Sequence, residues 1–100
     1  MTPLSLQGGQ DGQQDQHKRK GLIKAITGAV NNGSGLIRIT ATAHTFNTND
    51  RVTITGVGGT VEANAANWRI TVITANTFDL VGSTFTNAYT SGGQAKRTQG

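Results

Sequence analysis

The sequence predicts an all-β protein, a small antiparallel β-barrel or sandwich of about six strands preceded by an extended N-terminal arm. Three observations predict it. Thr, Gly and Asn are abundant and helix formers are scarce, a composition suited to strands joined by tight turns. Short segments that alternate apolar with polar residues recur, with turn residues between them about every 8–12 positions. No segment is periodic over a helix long enough for a βαβ crossover, which argues against a parallel sheet.

Residues 1–20 read as the arm. Gln7, Gln10, Gln13, Gln14 and Gln16 are interspersed with Gly8, Gly9 and Gly12, and no apolar residue falls between Leu6 and Leu22. Such a segment buries too little surface to offset its ordering entropy, so alone it is expected to be disordered. Its apolar start, Leu4 and Leu6, is a candidate plug for a neighbouring subunit. It closes with His17-Lys18-Arg19-Lys20, a short basic cluster at the hinge with the domain.

The domain is residues 21–100. Gly21 to Val30 reads as a strand, although Leu22, Ile23 and Ile26 are also spaced for a helical turn. Asn31-Asn32-Gly33-Ser34-Gly35 is a turn cluster. Leu36 to Thr42 alternates as a half-buried strand does. Asn47 to Asp50 turns the chain, Arg51 to Thr55 alternates again, and Gly56, Gly58 and Gly59 end that run. A loop follows through Asn67, with a turn of helix within Val61 to Ala66. Trp68 to Val72 is a strand with Trp68, Ile70 and Val72 on one face. Asn76-Thr77 is a hairpin turn, Phe78 to Val81 the next strand, and Ser91-Gly92-Gly93 leads to a last strand around Gln94 to Arg97.

A chain of 100 residues, 34% apolar, has room for one domain with a modest core. Its aromatics, Phe46, Trp68, Phe78, Phe85 and Tyr89, begin only at position 46, which places the expected core in the second half of the chain. The absence of cysteine excludes disulfides, thiolate metal sites and cysteine nucleophiles. A small domain without such staples is expected to gain stability by oligomerising. The net charge is +4 and the pI about 10.2, yet only 14% of residues are charged and they form no Lys/Arg stripe. That argues against nucleic acid as a partner. No run is apolar enough for a signal peptide or a membrane span, so a soluble product of the cytoplasm with no membrane partner is expected.

An ordered string of short pieces carries a resemblance. They are Ala43-His44-Thr45-Phe46, Asn49-Asp50-Arg51-Val52, Ile54-Thr55-Gly56-Val57, Asn67-Trp68, Asn76-Thr77-Phe78-Asp79-Leu80 and Ala88-Tyr89-Thr90-Ser91-Gly92-Gly93. Together they look like the small β-barrel modules of bacteriophage tail and virion proteins. Those modules resemble the first catalytic-cysteine half-domain of the ubiquitin-activating enzyme. The likeness is one of fold; a chain without cysteine cannot carry that enzyme's chemistry. Thr45 and Asn49 depart from the pattern, standing where the family usually has glycines. Asn tolerates the left-handed backbone a glycine supplies, whereas Thr resists it.

No residue set reads as a catalytic, cofactor or metal site. His44 with Asp50 nearby suggests an acid–base pair or a ligand set, but His17 lies in the arm and a metal needs three or four converging ligands. The structural reading has His44 capping a turn between strands and bonding backbone. Asp50 and Asp79 sit beside turns, where Asp satisfies backbone amides, so they are not read as a glycosidase pair. Gly56-Val57-Gly58-Gly59 lacks the Lys-Ser or Lys-Thr and the following helix of a phosphate loop, and reads as a turn. Trp68 and Tyr89 are read chiefly as core aromatics, with Tyr89 also a contact candidate.

The resemblance therefore implies a non-enzymatic role in a phage virion, with no cofactor, in a particle assembled in the host cytoplasm. Starting at Met1 with one copy of the module, the chain resembles the standalone kind, a capsid decoration or tail or neck accessory subunit. Its expected partners are other virion proteins and copies of itself in a homo-oligomer. The contact candidates are Leu4, Leu6, Lys18, Arg19, Lys20 and Tyr89. A carbohydrate- or host-surface-binding β-module is the alternative.

Overall fold

The computed structural model describes residues 21–99. The arm assigned to residues 1–20, with Leu4, Leu6, Lys18, Arg19 and Lys20, lies outside the described residues. Seven strands form: β1 (Ile23–Ala25), β2 (Gly28–Asn31), β3 (Ile37–Thr40), β4 (Arg51–Thr55), β5 (Trp68–Thr74), β6 (Thr77–Leu80) and β7 (Gln94–Gln99). A single 3-10 turn, Val61–Ala63, sits between β4 and β5. All pairings are antiparallel, in the order β1-β7-β4-β5-β6-β3-β2. The expected all-β antiparallel fold is present. Among the described residues no helix is long and apolar enough to cross a membrane.

The sheet is not a closed barrel, because no ladder joins β1 to β2. The two are nevertheless separated only by Ile26 and Thr27. The Ile26 N–H donates to the Gly93 carbonyl at 2.9 Å, toward β7, and the Thr27 N–H donates to the Thr40 carbonyl at 2.9 Å, toward β3. One segment thus serves both edges of the sheet. The single strand expected over Gly21 to Val30 is corrected to two, which is why seven strands form rather than about six. The cause is a change of partner at Ile26, whose side chain turns into the core; alternation along a sequence carries no record of which strand lies alongside.

One core packs against a single face of the strands. Ile37, Ile39, Val52, Ile54, Ile70, Phe78, Leu80 and Ala95 are fully buried, supplied by alternate positions of β3 to β7. Ile26, Ala29, Ile37, Ile39 and Ala41 belong to it, so the expectation of a core confined to the second half is wrong. Aliphatic and β-branched residues of β2 and β3 do there what aromatics do later in the chain. The Asn31 to Gly35 cluster forms its turn through side chains. Asn31 Oδ1 accepts from the Gly33 and Gly35 N–H groups, and Asn32 Oδ1 accepts from those of Ser34 and Leu36.

The long connection between β6 and β7, residues 81–93, is tied down along its length. Ser83 Oγ accepts from the Ile37 N–H and donates to the Leu80 carbonyl. The Phe85 N–H donates to the Gly35 carbonyl, and Gly58 bridges to Ser91. Gly59, at φ +81°, lies against the Ala88 carbonyl and the Thr90 N–H with no room for a Cβ. At the start of the domain, the Arg97 N–H donates to the Leu22 carbonyl, extending the β1–β7 ladder.

Candidate functional site

His44 has 1% of its surface exposed and is fixed through both ring nitrogens. The Phe46 N–H donates to Nδ1 at 2.9 Å, so Nδ1 is the acceptor. Nε2 then carries the proton and donates to the Thr74 carbonyl at 2.9 Å. The ring stacks on Phe46 at 5.4 Å between centroids and meets Phe78 edge-on at the same separation. This is the backbone-bonding cap expected from the sequence: it ties the 41–50 loop to the β5–β6 hairpin. The loop takes left-handed backbone at Ala43, Thr45 and Asn49, with φ of 51°, 59° and 77°. Thr45 and Asn49 thus do adopt the conformation a glycine would supply there, and for β-branched Thr45 it is a strained one.

The three carboxylates of the described residues are all engaged inside the fold. Asp50 Oδ2 accepts from the Asn47 N–H and from Arg97 Nε, at 2.8 and 2.9 Å. Asp79 does not bond backbone amides as expected. It lies in β6 opposite Arg38 of β3, accepting from Arg38 Nε at 2.8 Å and from Asn32 Nδ2 at 2.9 Å. Burial works to raise the Asp79 pKa, but these hydrogen bonds and the Arg38 charge leave it lowered; the hydrogen bond to Asp79, and its charge, in turn raise that of Arg38. Glu62, in the 3-10 turn, accepts from the Thr86 and Asn87 N–H groups at 2.6 and 2.8 Å and from the Asn87 side chain at 3.0 Å. Burial again opposes, yet these donors bring Glu62 from an ordinary 4.5 down to about 2. Glu62 is thereby a clamp on the 81–93 connection. Thr60 Oγ1 adds a bond to the Asn87 carbonyl.

The remaining candidates are structural in the same way. Tyr89 is half-buried against the core, and its hydroxyl donates to the Gly92 and Ile26 carbonyls. Trp68 Nε1 donates to the Ala63 carbonyl at 2.8 Å. In the Gly56 to Gly59 turn, the Val57 N–H is taken by Asn64 Oδ1 and the Gly58 N–H by the Ser91 carbonyl, so neither is free to cradle an anion. Among the described residues no three His, Asp or Glu side chains converge as metal ligands.

Sequence reasoning missed the Glu62 clamp, the Asp50–Arg97 pair and the Asp79–Arg38 pair, each spanning more than two dozen residues along the chain. It also missed that Arg51 and Arg69 stand directly opposite one another on β4 and β5. Alternation puts both outside; only the register, which a long loop leaves open, puts them together. Residues 33–99, well over half of the chain, match the family described as "Ubiquitin-activating enzyme E1 FCCH domain". No curated protein matches the chain.

Proposed function

The chain belongs to the ubiquitin-activating enzyme E1 FCCH domain family, and we propose that it works as a non-enzymatic structural protein of a bacteriophage virion. In this reading it is a capsid decoration or a tail or neck accessory subunit, present in many copies. Its N-terminal arm, residues 1–20, clamps neighbouring subunits. The observation that carries the reading is the use made of the polar side chains. His44, Asp50, Glu62 and Asp79 each hold the fold together, and none is left facing solvent with a free functional atom and a partner. What the domain offers outward is sheet face, turns and loops. The chain has no cysteine, so it cannot form a thioester. The ordered pieces from Ala43 to Gly93, which look like phage virion modules, support the placement in a particle. Many weak contacts on a lattice add to firm attachment without any one being strong.

The test is stoichiometry. Quantitative mass spectrometry of purified, salt-washed particles is expected to find the chain at a fixed number of copies per particle. Its absence from particles while abundant in the lysate would sink the reading. No observation favours the carbohydrate-binding alternative, since the Tyr89 hydroxyl that would anchor it is bonded to two carbonyls.

A further inference from the structure

The outer face of β7, β4 and β5 carries positive charge that the fold does not neutralise. In β4, Val52 and Ile54 point into the core, and Arg51, Thr53 and Thr55 point out. In β5, Trp68, Ile70 and Val72 point in, and Arg69 and Thr71 point out. In β7, Ala95 points in and Lys96 out. The register sets Lys96 opposite Thr53 and Arg51 opposite Arg69. The Arg69 carbonyl accepts from Val81 on the β6 side, while the Ile70 N–H donates to the Asp50 carbonyl of the β4 side. Arg51 and Arg69 therefore form a non-hydrogen-bonded pair, in which facing Cβ atoms come to about 4.5–5.5 Å. Two like charges so placed repel each other.

Among the described residues Arg51 Nη1 donates to the Asn67 carbonyl at 3.3 Å, but no carboxylate neutralises either guanidinium. Asp50 is held by Arg97 and Glu62 by backbone amides. Asp79, on the outer side of β6, is held by Arg38 and Asn32. The face is also without exposed aromatic rings on which bases would stack, because Trp68 points in, and it presents no helix to enter a groove. A guanidinium fork matches a carboxylate in bidentate fashion, and threonine hydroxyls flank the cations. We propose that this face, centred on Arg51, Arg69 and Lys96, is a docking surface for a carboxylate-rich surface of a partner protein. The inference rests on the strand register and not on the placement in a particle.

The test uses the full chain and a fluorescein-labelled oligo-glutamate peptide, read by fluorescence anisotropy, with a short DNA duplex as the competing class at equal ionic strength. Saturable peptide binding is expected, weakening with salt and falling about tenfold in Arg69→Glu and Arg51→Glu. Lys24→Gln, opposite the buried Ala95 on the other face, is expected to bind as the unaltered chain does. Arg69→Glu is also expected to raise the melting temperature, because it replaces a like-charge pair with an opposite-charge pair. A gain in stability with a loss of binding cannot arise from misfolding. Absence of peptide binding, equal binding by Arg69→Glu, or tighter binding of the duplex would overturn the proposal. So would a lower melting temperature in Arg69→Glu, since Arg51 and Arg69 would then not repel each other across the strands.

Discussion

Replacing His44 separates two things the ring does, filling space and joining backbone. His44→Phe keeps an aromatic ring between Phe46 and Phe78, where the centroid distances are 5.4 Å. It removes the acceptor for the Phe46 N–H and the donor to the Thr74 carbonyl. The first of these orphaned groups is buried and the second lies near the surface. At about 1–3 kcal/mol for a fully buried unsatisfied group, the expected loss is about 2–3 kcal/mol. For a domain of this size that corresponds to a fall in melting temperature of about 10–20 °C. His44→Ala adds a cavity and is expected to lose about 3–5 kcal/mol. His44→Asn keeps a side-chain oxygen within reach of the Phe46 N–H in an Asx-turn, so it should retain about 1 kcal/mol more than alanine. Urea unfolding followed by far-UV circular dichroism, with thermal melts, measures all three. A His44→Phe variant within about 1 kcal/mol of the unaltered chain would show that the ring serves shape alone and that its two backbone bonds contribute little.

Three further outcomes are expected. Gly59→Ala puts a methyl group onto the Ala88 carbonyl at a φ of +81°, and should cost about 3 kcal/mol or more in urea unfolding; a cost below about 1 kcal/mol would show that the 81–93 connection yields. Thr45→Asn relieves left-handed backbone at φ 59° while losing the Thr45 hydroxyl bond to the His44 carbonyl, and should gain about 0.5 kcal/mol by the same assay; a loss would contradict the strain. The third outcome concerns acid. The folded Glu62 and Asp79 have lowered pKa values, so their stabilisation is present above the ordinary carboxylate range and is lost as pH falls. For Glu62 the window runs from 4.5 to about 2. Urea midpoints taken across it should decline less steeply in Glu62→Gln, and identical slopes would deny Glu62 its part.

Much of the fold is legible where the cause is local. Arg51 to Thr55 alternates because one side of it faces the core, and the strand occupies those residues. The asparagines of residues 31–35 announce a turn because their own side chains build it. His44 reads as a cap for the same reason, its Nδ1 bond reaching only two residues ahead. Illegible are the features that depend on distant partners. The switch at Ile26, the Glu62 hold on Asn87 and the meeting of Arg51 with Arg69 depend on how far strands slide before they pair. Asp79 shows the limit within one residue. Its position beside a turn suggested backbone amides, yet Arg38 across the ladder and Asn32 beyond it claim both carboxylate oxygens.

The bond from Arg97 to Leu22 has a mechanical consequence. β1 and β7 are antiparallel neighbours, so the chain enters and leaves the domain side by side. Tension drawn between the two ends would load that ladder as a zipper, rupturing its bonds one after another from Leu22 inward. The tear would reach Ile26, where the segment changes to its partner on the far edge and the other six strands begin. Spliced into a loop of a larger protein, such a unit would add almost no span at rest. Under pull it would lengthen by the few residues of β1 before the rest resisted.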